Sequence, residues 1–376
     1  MARKQKSDLS RAFSEDGEHK THIGGQALIE GIMMRGKLNW AVAVREPSGS
    51  IYTEEHDLAS GKQKNKWMYW PLVRGCVALV ESLGLGYKAL EIAAMHAYDD
   101  SEEASNGALA PAAAADDTPS TDDGGAPVAD GVSAIAAADA QQGEPASEES
   151  GGLGKGAMTV SMILGLILGI VLFVVAPAAL TNLIVGEYDE RTVLWNIVDG
   201  ILRVAVFIAY IWLIGRMKDI KRMFSYHGAE HKTIHCYEHG LELTPENARQ
   251  FPRLHVRCGT AFLIMVMIIA ILVYTIVPLN PLIEAWGVPD GFLKLLLVII
   301  VRIIFLPVIA GISYEINVKW AGAHPESPVV KVILWPGMQM QYLTTNEPDD
   351  SMLECAIAAM KMVVAREERA ALEKEG

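Results

Sequence analysis

Four stretches of this chain are apolar for long enough to cross a bilayer, which takes roughly twenty residues in a helix. They lie at about 157–185, 193–215, 259–279 and 292–316. The competing reading is buried core helices of a large soluble protein, but runs this long with so few charges suit lipid better. Residues 67–98 differ in kind. Their apolar pattern is broken by Arg74, Glu81 and Lys88, seven residues apart, with Glu91 beside them. On a helix those positions form one polar stripe, which predicts an amphipathic helix lying in the interface or packed on a soluble domain. Upstream, "WAVAVRE" and "SIYTEE" alternate around a Pro-Ser-Gly turn and predict a β-hairpin. The glycines of "GGQALIEGIMMRG" ask only for permissive backbone there. "EPDDSMLECAIAAMKMVVAREERAALEKE" carries acids in its first turn and apolar residues at helical spacing, which predicts a terminal amphipathic helix.

The fold class expected is a mainly α-helical polytopic membrane protein of about four transmembrane helices, with a small N-terminal β-hairpin region and a His-rich helical loop. The expected segments are a flexible tail (1–20), the Gly-rich segment, hairpin and amphipathic helix (21–98), a disordered acidic linker (99–155), the four-span domain (156–345, with the His-rich loop at 216–258) and the terminal helix (346–376).

Charge refines this layout. The formal net charge is −13, yet thirteen acids and no Lys or Arg fall between Asp99 and Ser150, which leaves 32 acids against 32 bases elsewhere. That Ala-, Asp-, Gly- and Pro-rich segment has too little apolar surface to offset its ordering entropy. The acidity therefore points to no binding partner, and no nucleic-acid partner is expected. The loop between the second and third apolar runs holds Arg216, Lys218, Lys221, Arg222, Lys232, Arg249, Arg253 and Arg257. By the positive-inside rule it is cytoplasmic, and with an even number of spans so are both termini. The basic N-terminus has no apolar run behind it and is not read as a signal peptide. Cys76, Cys236, Cys258 and Cys355 suggest no disulfide framework.

The chemistry concentrates in "HGAEHKTIHCYEHG" (227–240), with four histidines, one cysteine and two glutamates. On a helix His227, His231 and His235 share one face. His227-x-x-Glu230-His231 reads H-x-x-E-H, an order that supplies two metal ligands and a general-base glutamate. The outer two histidines would stand about 12 Å apart at 1.5 Å per residue, so one ion cannot take all three. Metal on His227 and His231 therefore needs a ligand from elsewhere. His255, Cys258 and Glu315 are the candidates, with His235 and Glu238 as additional ligands or supports. Zinc is the expected ion, and Glu230 the catalytic base. Between these groups, Thr244 and Pro245 predict the start of a short helix that ends before Pro252. Within the apolar runs, Asp199, Arg203 and Arg302 form a second group. Charges in lipid are paired or functional, and the surplus positive charge leaves room for an anionic lipid or substrate.

"GGQALIEGIMMRG", "PLVRG…ALVESL", "RMKDIKRMFSYHGAEHKTIHCYE", "LTPENARQFPRLHVRCGTAFL", "LPVIAGISYE" and "LTTNEPDDSMLECAIAA" together resemble the YqhQ-like bacterial membrane proteins, domain of unknown function 1385. The resemblance covers nearly everything outside the tail and the acidic linker. It implies a metal-dependent enzyme of no established reaction. The family pattern has proline where Val256 stands, which loosens the turn but keeps His255 and Cys258. Two functions are then expected to compete. One is a metal-dependent hydrolase at the cytoplasmic membrane face, acting on a lipid or membrane-associated substrate. The other is a scaffold or transporter whose His-rich loop is structural.

Overall fold

In this computed structural model the residues described are Arg11–Ala12, 21–58, 66–98, 163–165, 167–186, 192–256, 258–277, 285–288, 292–316, 327–375 and the isolated Ile283, Trp320 and His324. The chain divides into two compact units, residues 1–100 with 169–376 and residues 101–168. The segment expected to be a disordered linker lies outside the described residues. Of the expected flexible tail only Arg11 and Ala12 are described. Ala12 is buried against Leu254 and Met338, and Arg11 donates to the Gln250 carbonyl at 2.7 Å.

The larger unit is mostly helical, built around a small antiparallel meander. Its strands β1 (Gly24–Leu28), β2 (Gly31–Arg35), β3 (Asn39–Arg45) and β4 (Ile51–Asp57) pair in sequence order. The β3–β4 hairpin is the one expected. The glycine-rich stretch before it, read only as permissive backbone, forms the other two strands. Strand β2 escaped notice because it is buried on both faces, which erases the polar alternation that marks a half-exposed strand; β1 is largely exposed and glycine-rich and offers no alternation. Ile32, Met34, Ala41 and Ala43 face one core; Met33, Trp40, Val42 and Val44 face the other.

Helices cover both faces. On one lies α1 (Val73–His96), whose C-terminal half buries Ala89, Ile92 and Ala93 against the sheet. Its N-terminal half packs Gly75 so closely on a later helix that an added Cβ would sit 2.9 Å from the Gly311 Cα. The polar stripe is used, since Arg74 donates to Glu315 at 2.7 Å and Arg35 lies 3.5 Å from Glu81. The remaining face presents Val80, Leu83 and Tyr87 to the exterior. The helix is thus packed along one side and exposes apolar side chains along another.

The sheet's other face is covered by α4 (Lys218–Glu238) and the C-terminal α9 (Asp350–Glu375). Helix α9 starts where Asp349 Oδ1 accepts from the Met352 amide at 3.0 Å, satisfying an otherwise orphan donor. It buries Met352, Leu353, Ala356, Met360 and Val363, the stripe expected of an amphipathic helix. Each large side chain contributes about 1.5–3 kcal/mol by leaving water.

The apolar helices form the rest. They are α2 (Ala176–Val185), α3 (Thr192–Ile214), α6 (Gly259–Ile276), α7 (Phe292–Tyr314) and α8 (Pro328–Thr344); the short α5 (Pro245–Arg249) lies between α4 and α6. Among the described residues two helices are long and apolar enough to cross a membrane, Ile163–Val185 and Val193–Ile214, with shorter apolar helices at Met265–Tyr274 and Ile304–Tyr314. Their side chains are largely uncovered, with Leu183 83% and Ile201 63% exposed. Helix α8, not foreseen as a separate element, also exposes Val332 and Trp335. A π-helical turn at Val171–Val175 precedes α2. Such a turn disturbs the regular carbonyl pairing of a helix, and the Arg203 guanidinium meets it, donating to the Phe173 carbonyl at 2.7 Å.

Candidate metal centre

Helix α4 carries the histidines as expected, and α5 begins with Thr244 Oγ1 accepting from the Asn247 amide at 3.3 Å. The polar residues of the second half of α4 are buried inside the unit rather than solvated. His227, Glu230, His231, His235 and Glu238 are each less than one-tenth exposed. Residues 253–256 and Cys258 return alongside them, and residues 344–347 cross their other side.

Two groups of donor atoms result. His227, His231 and Cys258 form one; His235, Glu238 and His255 form the other, with the atoms of each group within 4.8 Å of one another. Helical rise explains the split, since His235 is a further turn, about 6 Å, along the axis. His255, expected beside the first pair, instead meets His235 and Glu238, and Cys258 is the residue that completes the pair. Glu315 joins neither group because Arg74 engages it from α1.

The first group is oriented by backbone. His227 Nδ1 lies 2.8 Å from the Thr344 carbonyl, and His231 Nδ1 lies 2.6 Å from the Arg253 carbonyl. A carbonyl can only accept, so each Nδ1 carries a proton and Nε2 is the nitrogen left to face a metal. His227 Nε2 is 3.2 Å from Cys258 Sγ. His231 Nε2 is buried without a hydrogen-bond partner among the described residues. Anchoring the far imidazole nitrogen is how proteins aim histidine at a metal. Two imidazoles and a thiolate are a donor set suited to zinc, and with three protein ligands one position stays open. The residues therefore fit a divalent transition ion, though the set does not choose among such ions.

Electrostatics point the same way. Burial pushes the Cys258 thiol up, but the imidazoles of His227 and His231 outweigh it and hold the thiol well below its ordinary value. Burial pulls His227 down; Cys258, then Glu230 and the Thr344 carbonyl, more than reverse this and raise it to about 9. Without metal the two are a thiolate–imidazolium pair. Glu230 is raised by burial, against the lowering pull of His227, His231 and the Gly25 backbone. Its Oε2 has no hydrogen-bond partner among the described residues.

Glycines make the close approaches possible. A Cβ on Gly25 of β1 would stand 2.9 Å from the Glu230 carboxyl carbon, and one on Gly228 would stand 2.1 Å from the Asn346 carbonyl oxygen. The residues that sequence reading missed are thus mainly backbone, namely Gly25, Arg253 and the Thr344–Glu347 segment. One cue was available, the lone Gly228 inside a helical pattern, which signals close packing when it is kept there against helix propensity.

The site stands at the edge of the apolar helices, since Cys258 immediately precedes α6 and α4 follows α3 after a three-residue turn. Among the apolar helices, Asp199 is buried and accepts from Arg203 Nε at 2.7 Å. The Arg302 side chain, expected in the same group, lies outside the described residues.

Comparison with known proteins places the chain. Residues 70–366 match the family described as "Protein of unknown function (DUF1385)". The chain belongs to the DUF1385 family. It is 29% identical over 346 residues to "Uncharacterized protein YqhQ" of Bacillus subtilis (strain 168), covering 92% of each chain. No solved structure matches. The DUF1385 match takes in both donor groups and the apolar helices, while β1 to β4 precede it.

Proposed function

We propose that this DUF1385 protein is a membrane-embedded, metal-dependent enzyme, most simply a hydrolase, with its centre at the cytoplasmic face. The proposal includes four spans, both termini in the cytoplasm, and a lipid or membrane-associated substrate reached at the interface. The observation that carries it is the convergence of donor atoms of His227, His231 and Cys258 beside the Glu230 carboxyl group, whose Oε2 has no hydrogen-bond partner among the described residues. A purely structural Cys/His site is usually closed by a fourth protein ligand, whereas here a buried carboxyl group stands next to three donors.

His227, His231 and Cys258 hold the ion, zinc being the expected one. The ion supplies Lewis acidity, polarising a carbonyl or phosphoryl oxygen and making water acidic. Glu230 receives a proton in the enclosed pocket and returns it to the leaving group. Burial raises its proton affinity above the ordinary carboxylate range, which favours its holding a proton during the exchange. Gly25 keeps that side of the carboxylate clear of a Cβ. Cys258 is the most exposed of the three metal-holding residues, which puts the approach for substrate on its side, next to the start of α6.

The test combines metal analysis with turnover of a lipid and peptide hydrolysis panel by the full chain in detergent. Glu230→Gln is expected to keep its metal and lose turnover; His227→Ala and Cys258→Ser are expected to lose the ion of this centre, and turnover with it. If no member of the panel is turned over in a metal-dependent way, and chelation instead collapses the fold, the loop is structural and the scaffold reading prevails.

A further inference from the structure

We infer that His235, Glu238 and His255 form a second, separate divalent-cation site, so that one chain holds two ions.

The three residues are deeply buried, at 0%, 0% and 3% exposure. Their donor atoms lie within 4.8 Å of one another. The decisive group is His235. Its Nε2 lies 2.9 Å from the Leu254 carbonyl, which fixes the proton on Nε2 and leaves Nδ1 as a lone-pair donor. Nδ1 is buried with no hydrogen-bond partner among the described residues. An imidazole locked by a carbonyl on one side and unpartnered on the other is the same arrangement as His231 in the first centre.

The other two donors are also held in place. Glu238 Oε1 accepts from the Thr21 amide at 3.1 Å and from its hydroxyl at 3.0 Å, which aims Oε2 inward. The backbone of His255 is clamped on both sides by Gln341, whose Oε1 accepts from the His255 amide at 2.8 Å while its Nε2 donates to the carbonyl at 2.9 Å. His255 Nε2 then stands 3.6 Å from Glu238 Oε2. That is too long for a hydrogen bond. It is close to the roughly 3.4 Å edge between two ligands about 2.1 Å from one tetrahedral ion. An ion pair between Glu238 and His255 alone would leave the gap between them and the Nδ1 of His235 unexplained.

The separation of the two centres follows from the helix. His231 and His235 are one turn apart, about 6 Å along α4, and the rings of His231 and His255 are 5.7 Å apart. The donor sets differ in character. Two imidazoles with a thiolate favour a thiophilic ion such as zinc; two imidazoles with a carboxylate accept zinc or ferrous iron. The second site is the more enclosed, which suits an ion that tunes and braces its neighbour.

Cobalt(II) distinguishes the two, because only a cysteine-bound ion gives a thiolate-to-cobalt charge-transfer band. The full chain in detergent, stripped by chelation, is expected to bind two equivalents. Cys258→Ser should remove the charge-transfer band and retain one equivalent. His235→Ala and the nearly isosteric Glu238→Gln should retain the band and also fall to one equivalent, with the gel-filtration profile unchanged for the latter. A single equivalent in the wild-type chain that Cys258→Ser and Glu238→Gln abolish alike would overturn the second site, as would two full equivalents in both His235→Ala and Glu238→Gln. One equivalent with no charge-transfer band, lost in Glu238→Gln, would support this site and refute the cysteine-containing centre instead.

Discussion

Gly228→Ala is the substitution whose effect the geometry sets most sharply, because it touches no metal-binding side chain. On an exposed helix, glycine to alanine stabilises by about 1 kcal/mol. Here the new Cβ would sit 2.1 Å from the Asn346 carbonyl oxygen, where contacts shorter than 3.0 Å essentially never occur. Helix α4 and the crossing segment must then separate by about 0.9 Å, the difference between those two distances. Two hydrogen bonds span the same gap, from the Asn346 amide to the Phe224 carbonyl at 2.9 Å and from His227 Nδ1 to the Thr344 carbonyl at 2.8 Å. Stretched by that amount, both leave the range in which hydrogen bonds form. Their loss costs about 1 kcal/mol each, and overpacking costs about 1–3 kcal/mol more. The balance is a destabilisation of about 2–4 kcal/mol, against the sign that helix propensity alone would give. Loss of the carbonyl tether on His227 should also weaken metal binding by about 10–100-fold. Competition against a chromophoric chelator measures the affinity, and thermal unfolding in detergent measures the stability. An unchanged or higher melting temperature with unchanged affinity would refute the claim that the crossing segment aims His227.

Three further outcomes are expected. Metal affinity should rise with pH up to about 9 and level off above it. The ion must displace the proton that His227 holds up to about 9, whereas Cys258 has already lost its own; calorimetry in buffers of different ionisation enthalpy should count about one proton released per ion near neutral pH. In the metal-free protein the two partners act in opposite senses. The raised His227 contributes stability that is complete below its ordinary 6.5 and lost as pH rises through about 9, while the lowered Cys258 contributes stability that grows with pH up to its ordinary value of about 9, so the pair should leave stability nearly flat between about 6.5 and 9, which a series of melting curves with chelator present would check. Arg203→Met strands the buried Asp199 and the Phe173 carbonyl together and should cost about 3–5 kcal/mol; an unaltered melting temperature in detergent would remove the pair from the list of structural determinants.

Much of this was legible in the chain, and the reasons for the remainder are physical. The registry of His227, His231 and His235 follows from helical periodicity, and so does the conclusion that one ion cannot hold all three. The α9 stripe, the Thr244 cap and the β3–β4 hairpin are local patterns and could be read locally. Which residue completes the first pair could not be. His255 and Cys258 are three positions apart in an irregular turn, and only the tertiary path sends Cys258 to His227 and His255 to Glu238. The tethers were invisible for a different reason. They are carbonyls of Arg253, Leu254 and Thr344, and every residue has a carbonyl, so no side-chain pattern announces them. Strand β2 was hidden by its own burial, since a strand covered on both faces loses the alternation by which strands are recognised, and the largely exposed β1 opens on two glycines and carries no apolar alternation to read.

The crossing segment has a consequence for how the molecule is made. Thr344 reaches back 117 positions to His227, and Thr21 reaches forward 217 positions to Glu238. A nascent chain emerges in order, so residues 227–258 leave the ribosome long before the carbonyl that aims His227 exists. During that interval the histidines and Cys258 lack the geometry that discriminates among ions. Any correct metallation is therefore an event after synthesis, when residues 344–347 close over α4, and a chain truncated before Thr344 would carry every candidate donor side chain yet be unable to aim His227.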